Sequence, residues 1–228
     1  MKKLLLFDID GTLLVTGGSG KIALERAFLD LYGIPEAWGK IVPDGKTDPN
    51  IIDEIATHKL GRKLSCKEHS KICDVYLRYF DEEIEKTHKF RLMPGVFGLL
   101  SEISKRENLL AGVATGNLEP AGWLKLKRGN IRNFFTFGGF SSDSRNRTEI
   151  VRIAIDRAQK ILGNKIDRGN IFVIGDTHHD VRAARGLNVK AVAVTTGSYK
   201  AEHFLNGDQP DYLLGDLSDP KAFFALTN

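Results

Sequence analysis

Four short apolar runs, at residues 4–7, 109–114, 171–174 and 191–194, set the fold class of this chain. Each is too brief to cross a membrane, and Gly, Asn or Asp stands close to one end or the other, so each reads as a buried strand. Helical periodicity fills the gaps between the later runs, with helices expected over 96–106, 119–128 and 148–162 and from about Asp180. A short strand is expected near 134–137 and a last one at 211–214. Strands alternating with helices in this way specify a parallel sheet, because each parallel connection needs a helix-length crossover. The predicted class is α/β, a Rossmann-like parallel sheet with helices on both faces.

One segment breaks the alternation. From residue 16 to about 91 the pattern is helical only. Gly17-Gly18-Ser19-Gly20 reads as a hinge. Gly20-Lys21 shares two residues with a phosphate-binding loop, but Val15 occupies the place of the first glycine and Ile22 follows the lysine, so that motif fails. Ile22, Ala23, Ala27, Phe28, Leu31 and Tyr32 then recur at helical spacing until Gly33 and Pro35. Residues 43–49 form a dense Pro/Asp/Gly turn, and helices follow from about Asn50 and over 65–86. Met93-Pro94-Gly95 marks the return. The expected organisation is a core of residues 1–15 and 92–228 carrying a small helical cap, residues 16–91.

In a parallel α/β sheet, ligands bind beyond the carboxyl ends of the strands. Three of those ends are polar here. The first run ends in Asp8-Ile9-Asp10-Gly11-Thr12, the second in Thr115-Gly116-Asn117, and the third in Gly175-Asp176-Thr177 with Asp180 just beyond. If extended geometry persists to Asp10, the carboxylates of Asp8 and Asp10 point the same way. Two carboxylates that close repel, and Mg2+ answers them as a hard cation that leaves positions open for water and phosphate.

Composition narrows the partners. Lys plus Arg number 33 against 29 Asp plus Glu, a net +4 that suits an anionic ligand. Without a Lys/Arg-rich run, nucleic acid is not expected, and without a long apolar stretch neither is a membrane. Cys66 and Cys73 form no disulfide framework, and the N-terminal run ends in aspartate rather than a cleavage site. A cytoplasmic location is the expectation.

Asp8-Ile9-Asp10-Gly11-Thr12, Ala114-Thr115-Gly116-Asn117 and Ile174-Gly175-Asp176-Thr177-His178-His179-Asp180, with a cap between the first two, resemble the motifs of the haloacid dehalogenase-like superfamily. The resemblance is greatest to its phosphoglycolate phosphatase-like group. It implies Mg2+-dependent hydrolysis of a small phosphorylated metabolite through an aspartyl-phosphate. Asp8 matches the nucleophile, Asp10 the general acid/base and Thr115 the phosphate-binding hydroxyl. Asp176 and Asp180 match the metal motif, with Mg2+ between Asp8, Asp176 and the backbone carbonyl of Asp10. An amide of Gly116 or Asn117 is a second donor to phosphate. Lys46, in Gly45-Lys46-Thr47-Asp48, matches the cap turn that reaches the leaving group.

The superfamily also requires a basic residue for the phosphoryl group. Arg147, at the start of the helix that leads into the third strand, fits that placement. Lys125 is the rival, but it stands roughly 9–10 Å along its helix and is expected to point away from the site. His178 and His179 are read as polar filler, because adjacent residues do not share a face and Mg2+ prefers oxygen. Trp38, Tyr76, Tyr79 and Phe80 read as cap core. A phosphosugar mutase of the β-phosphoglucomutase type uses the same aspartates and is the competing reading. A dehalogenase is disfavoured by the presence of Asp10, and a non-catalytic binding protein by the intact carboxylates.

Overall fold

The computed structural model describes residues 2–226. Strand β1 (Lys3–Phe7) leads through β2 (Leu14–Val15) to three helices, α1 (Ser19–Tyr32), α2 (Asp48–Leu60) and α3 (Cys66–Lys86). The chain returns through β3 (Arg91–Leu92) and then alternates: α4 (Val96–Ser104), β4 (Leu109–Ala114), α5 (Glu119–Arg128), β5 (Gly138–Gly139), α6 (Arg147–Leu162) and β6 (Ile171–Gly175). It ends with α7 (His178–Gly186), β7 (Lys190–Val194), α8 (Ala201–Leu205), β8 (Tyr212–Leu214) and α9 (Pro220–Leu226).

Six strands form one parallel sheet in the order β5-β4-β1-β6-β7-β8. Strand β1 lies between β4 and β6, with Phe7 level with Val113 on one side and Ile174 on the other. That register brings the three polar strand ends side by side, at the roughly 4.8 Å spacing of paired strands. The period of two splits β1 between the layers. Leu5 and Phe7 join the apolar cluster under α4 and α9, while Leu4 and Leu6 join the one under α6 and α7. Burial on both faces explains why these strands read as unbroken apolar runs.

Helices α1–α3 have an apolar cluster of their own, built on Phe28, Ile52, Ile55, Ile72, Tyr76 and Phe80 and extended by Leu118 and Ala121 from the sheet side. The start of α3 is held by a reciprocal cap: Glu68 N–H donates to Ser65 Oγ and Ser65 N–H donates to Glu68. The two crossings into this layer pair as an antiparallel ribbon, Leu14 with Leu92 and Val15 with Arg91. Among the described residues no helix is long and apolar enough to cross a membrane.

The expected strand at 134–137 is displaced. Residues 132–134 form a 3-10 turn, and the strand is Gly138–Gly139. The phenylalanines look β-forming but serve the core, with Phe135 fully buried. Glycine is needed beyond them because a Cβ at Gly139 would overlap the Ile150 carbonyl of α6. Helix α7 starts two residues before the expected Asp180, since Thr177 is its N-cap and Asp180 its third residue.

Candidate functional site

Asp8 is the first residue past β1, and its N–H still donates to Ile174 O at 2.8 Å, so the carboxylate starts from rigid backbone. It is buried, and Arg147 Nη2 lies 2.8 Å from its Oδ1. The same Nη2 is 2.5 Å from Asp180 Oδ1. Arg147 thus comes from the first turn of α6 and reaches across to both carboxylates. Burial raises Asp8 to about 6 despite Arg147, and Asp180 and Asp10 push in the same direction.

Asp10 faces different partners. Its oxygens accept from Lys125 Nζ at 2.8 and 2.6 Å and from Asn117 Nδ2 at 2.7 Å. Lys125 also donates to Asn117 Oδ1, and Asn117 donates to Thr115 Oγ1 at 2.7 Å. The expectation that Lys125 points away from the site is therefore overturned. Distance along the helix axis was the wrong measure, because helical side chains lean toward the N-terminus and a lysine stem spans more than a turn. Asp8 and Asp10 do not share partners either. The chain leaves strand geometry after Phe7, and Gly11 takes a left-handed φ of 78° that begins the turn.

Carboxylate oxygens of Asp8, Asp176 and Asp180 all lie within 4.8 Å of one another. Asp176 accepts from Thr12 Oγ1 at 2.9 Å, and burial together with Asp8 and Asp180 holds it well above the usual carboxylate range. Asp180 keeps Oδ2 for its own helix, accepting from Thr177 Oγ1 at 2.9 Å. Arg147 pairs with Asp8 and Asp180 but not with Asp176, so the charge of the three buried acids is incompletely answered by protein. An all-oxygen donor set of this kind fits a hard cation such as Mg2+. The Asp10 carboxylate, turned to Lys125, stands outside the cluster. Glycine makes room for Asp176: a Cβ at Gly11 or Gly197 would overlap its carboxylate.

The turn before α2 closes over these groups. Asp48 N–H donates to Gly116 O at 2.8 Å, and Asp48 Oδ2 accepts from Leu118 N–H at 2.8 Å. Burial raises Asp48 to about 6, opposed by Lys125. Asp44 accepts from Ser198 Oγ at 2.8 Å, and Arg145 pairs with Asp53. Gly45 rests on His179, which gives that histidine a packing role. Lys46 lines the cavity between this turn and the strand ends, but its Nζ is 2.5 Å from Glu54. The cavity has a volume of about 400 Å³ and is lined by Asp8, Asp10, Thr115, Gly116, Asn117, Lys125, Arg147 and Asp176 on the sheet side. Trp38 and Tyr76 also face it, although Tyr76 belongs to the apolar cluster as expected.

Gly116 is required by this closure. A Cβ there would overlap Lys46 O, which is backbone and cannot swing aside. We expect Gly116→Ala to cost about 1–3 kcal/mol by overpacking and to lower kcat/KM by about tenfold or more. Thermal melting and steady-state kinetics would check it, and wild-type behaviour in both would show that the turn is not held there.

Sequence reasoning missed Thr12, Asp48 and the side chain of Asn117. Asp48-Pro49 at a helix start was the available signal for Asp48. For Asn117 there was none, because its three partners are distant in sequence or share one turn.

A family model described as haloacid dehalogenase-like hydrolase matches residues 5–194. Pyrophosphatase PpaX of Oceanobacillus iheyensis is 25% identical over 220 residues, covering 94% of this chain and 93% of the relative. A phosphoglycolate phosphatase of Photorhabdus laumondii is 26% identical over 216 residues, covering 93% and 88%. Among solved structures, CbbY from Rhodobacter sphaeroides in complex with phosphate has a TM-score of 0.74 at 18% identity, over 97% of both chains. With the family match running from β1 through β7, this chain belongs to the haloacid dehalogenase-like hydrolases.

Proposed function

We propose that the chain is a Mg2+-dependent phosphomonoester hydrolase acting on a small phosphorylated metabolite. One observation carries this reading: the same strand end presents two aspartates with separate supports, Asp8 on Arg147 and Asp10 on Lys125 and Asn117. Two carboxylates in different settings can take different tasks.

Asp8 attacks phosphorus and forms the aspartyl-phosphate as the ester P–O bond breaks. Asp10, with nearly half of its side chain exposed toward the cavity, gives its proton to the leaving oxygen. It then takes a proton from the water that attacks the acyl phosphate, and Asp8 is released. Arg147 and the Thr115 hydroxyl hold the equatorial oxygens in line with Asp8. Asp8 and Asp176, with the Asp10 carbonyl, are the residues that would hold Mg2+, and Asp180 orients Arg147 and α7. When bound, the cation supplies charge that lets an anionic ester approach an anionic nucleophile. The cap turn keeps bulk water and large substrates away. The names of the two relatives support a phosphate-releasing activity.

Phosphate release from a panel of small esters and pyrophosphate, with Mg2+ and with EDTA, tests the reading. We expect turnover of at least one compound and its loss, by about 100-fold or more, in EDTA. A hexose 1-phosphate belongs in the panel, because isomerised sugar phosphate without free phosphate would instead establish a mutase. No phosphate release by folded protein would remove the hydrolase assignment.

A further inference from the structure

The starts of α2 and α5 hold each other. Asp48 is the first residue of α2, so its N–H has no partner within the helix and donates instead to Gly116 O at 2.8 Å. Helix α5 has the matching deficit, because its N-cap is Leu118, whose hydrocarbon side chain accepts no hydrogen bond. The Leu118 N–H donates to Asp48 Oδ2 at 2.8 Å, and the next N–H, that of Glu119, to Ser142 Oγ at 2.9 Å. Pro120 brings no N–H. The cap thus supplies the capping carboxylate of a core helix. Asp48 is buried, where a hydrogen bond is stronger than in water.

The residue between these two contacts is Asn117. One cap residue grips the backbone on either side of it, at Gly116 O and at the Leu118 N–H. Its side chain joins Thr115, Lys125 and Asp10. Lys125 comes from α5, the helix that Asp48 caps, and it holds both oxygens of Asp10. Both supports of Asp10 therefore stand on a segment anchored to the cap. Burial raises the Asp48 carboxyl and Lys125 opposes the rise, so one cation faces Asp48 as well as Asp10. The neighbouring acids of the cap meet other core loops, Asp44 at Ser198 and Asp53 at Arg145.

We propose that Asp48 is a positioning residue for proton transfer: by tying Gly116 and Leu118 to the cap, it sets Asn117 and Lys125 where they hold Asp10 toward the leaving oxygen. This rests on the hydrolase reading, in which Asp10 is the acid. Asp48 acts through the connection from β4 to α5, not on the phosphoryl group. Without its carboxylate the Leu118 N–H loses its partner, the first turn of α5 loosens, and the support of Asp10 loosens with it. An ester whose leaving oxygen needs a proton then suffers. One that departs as a stabilised phenolate does not.

Leaving-group dependence separates positioning from general damage. In Mg2+ buffer, kcat and KM would be measured with p-nitrophenyl phosphate and with the alkyl ester that wild type hydrolyses best, beside thermal melts. We expect Asp48→Ala to lower kcat on the alkyl ester by about tenfold or more beyond its loss on the aryl ester. Asp48→Asn keeps an oxygen for the Leu118 N–H and should bring the ratio of the two back to within a few fold of wild type. Asp53→Ala, which frees the cap from Arg145 instead, should slow both esters alike. Asp48→Val serves in place of Asp48→Ala if the alanine variant does not fold. Equal losses on the two esters, or Asp48→Asn no better than Asp48→Ala, overturns the proposal. The Asn117 side-chain amide resonance, read by NMR without substrate, is the second measurement. It should shift in Asp48→Ala and hold in Asp48→Asn, and an unmoved resonance in Asp48→Ala overturns the proposal whatever the turnover. A wild type that releases no phosphate while Asn117 responds removes the hydrolase reading and supports the positioning.

Discussion

Asp8→Asn should lose on the order of 10⁴-fold or more in kcat while remaining folded. The amide is nearly isosteric with the carboxylate, so the packing at the end of β1 survives. Arg147 keeps Asp180 as a partner, and the buried acids repel one another less once Asp8 is neutral. What disappears is the oxygen nucleophile, and no neighbour replaces it. Asp10 is held toward Lys125, while Asp176 and Asp180 are engaged by Thr12 and Thr177. The measurement is phosphate release over several turnovers, beside a thermal melt. Activity within tenfold of wild type would remove Asp8 from the nucleophile's role.

The second large effect separates the two basic residues. Arg147 and both of its partners are almost wholly buried, with side-chain exposures of 9%, 9% and 3% for Arg147, Asp8 and Asp180. Arg147→Ala would leave two largely buried acids without their counter-charge. We expect a loss of about 3–5 kcal/mol in stability and about 10²–10³-fold in kcat. Lys125 is also buried, but its partner Asp10 is about half exposed and can be solvated when the lysine is removed. Lys125→Ala should therefore cost less stability, about 1–2 kcal/mol, while kcat falls by about 10–100-fold as Asp10 and Asn117 lose their support. Melting temperatures and kcat for both variants, measured with saturating Mg2+, decide the matter. Equal destabilisation would contradict the separate placement of the two cations. A fully active Arg147→Ala would leave Lys125 as the principal basic residue of the site.

The periodic and local features of this chain were legible in its sequence. Four apolar runs announced strands because a strand buried on both faces must be apolar throughout, and β1, β4, β6 and β7 lie where those runs lie. The polar residues just past them marked the site, because the parallel connection rule puts every strand's carboxyl end on one edge of the sheet. Asp8, Thr115 and Asp176 needed nothing more than that rule to be brought together. Tertiary structure decided everything that depends on how one element leans on another. It turned Lys125 toward Asp10, closed Lys46 with Glu54, and set Asp48 over Gly116 and Leu118. It also moved the edge strand from a phenylalanine-rich segment to two glycines, since α6 leaves no room for a side chain at Gly139, and Val113 and Phe140 leave none at Gly138. Strand periodicity and turn chemistry act over a few neighbouring residues, so a linear sequence displays them. The partner of a charged side chain is chosen by distance in space, and sequence separations such as the 115 residues between Asp10 and Lys125 are closed only by the packed fold.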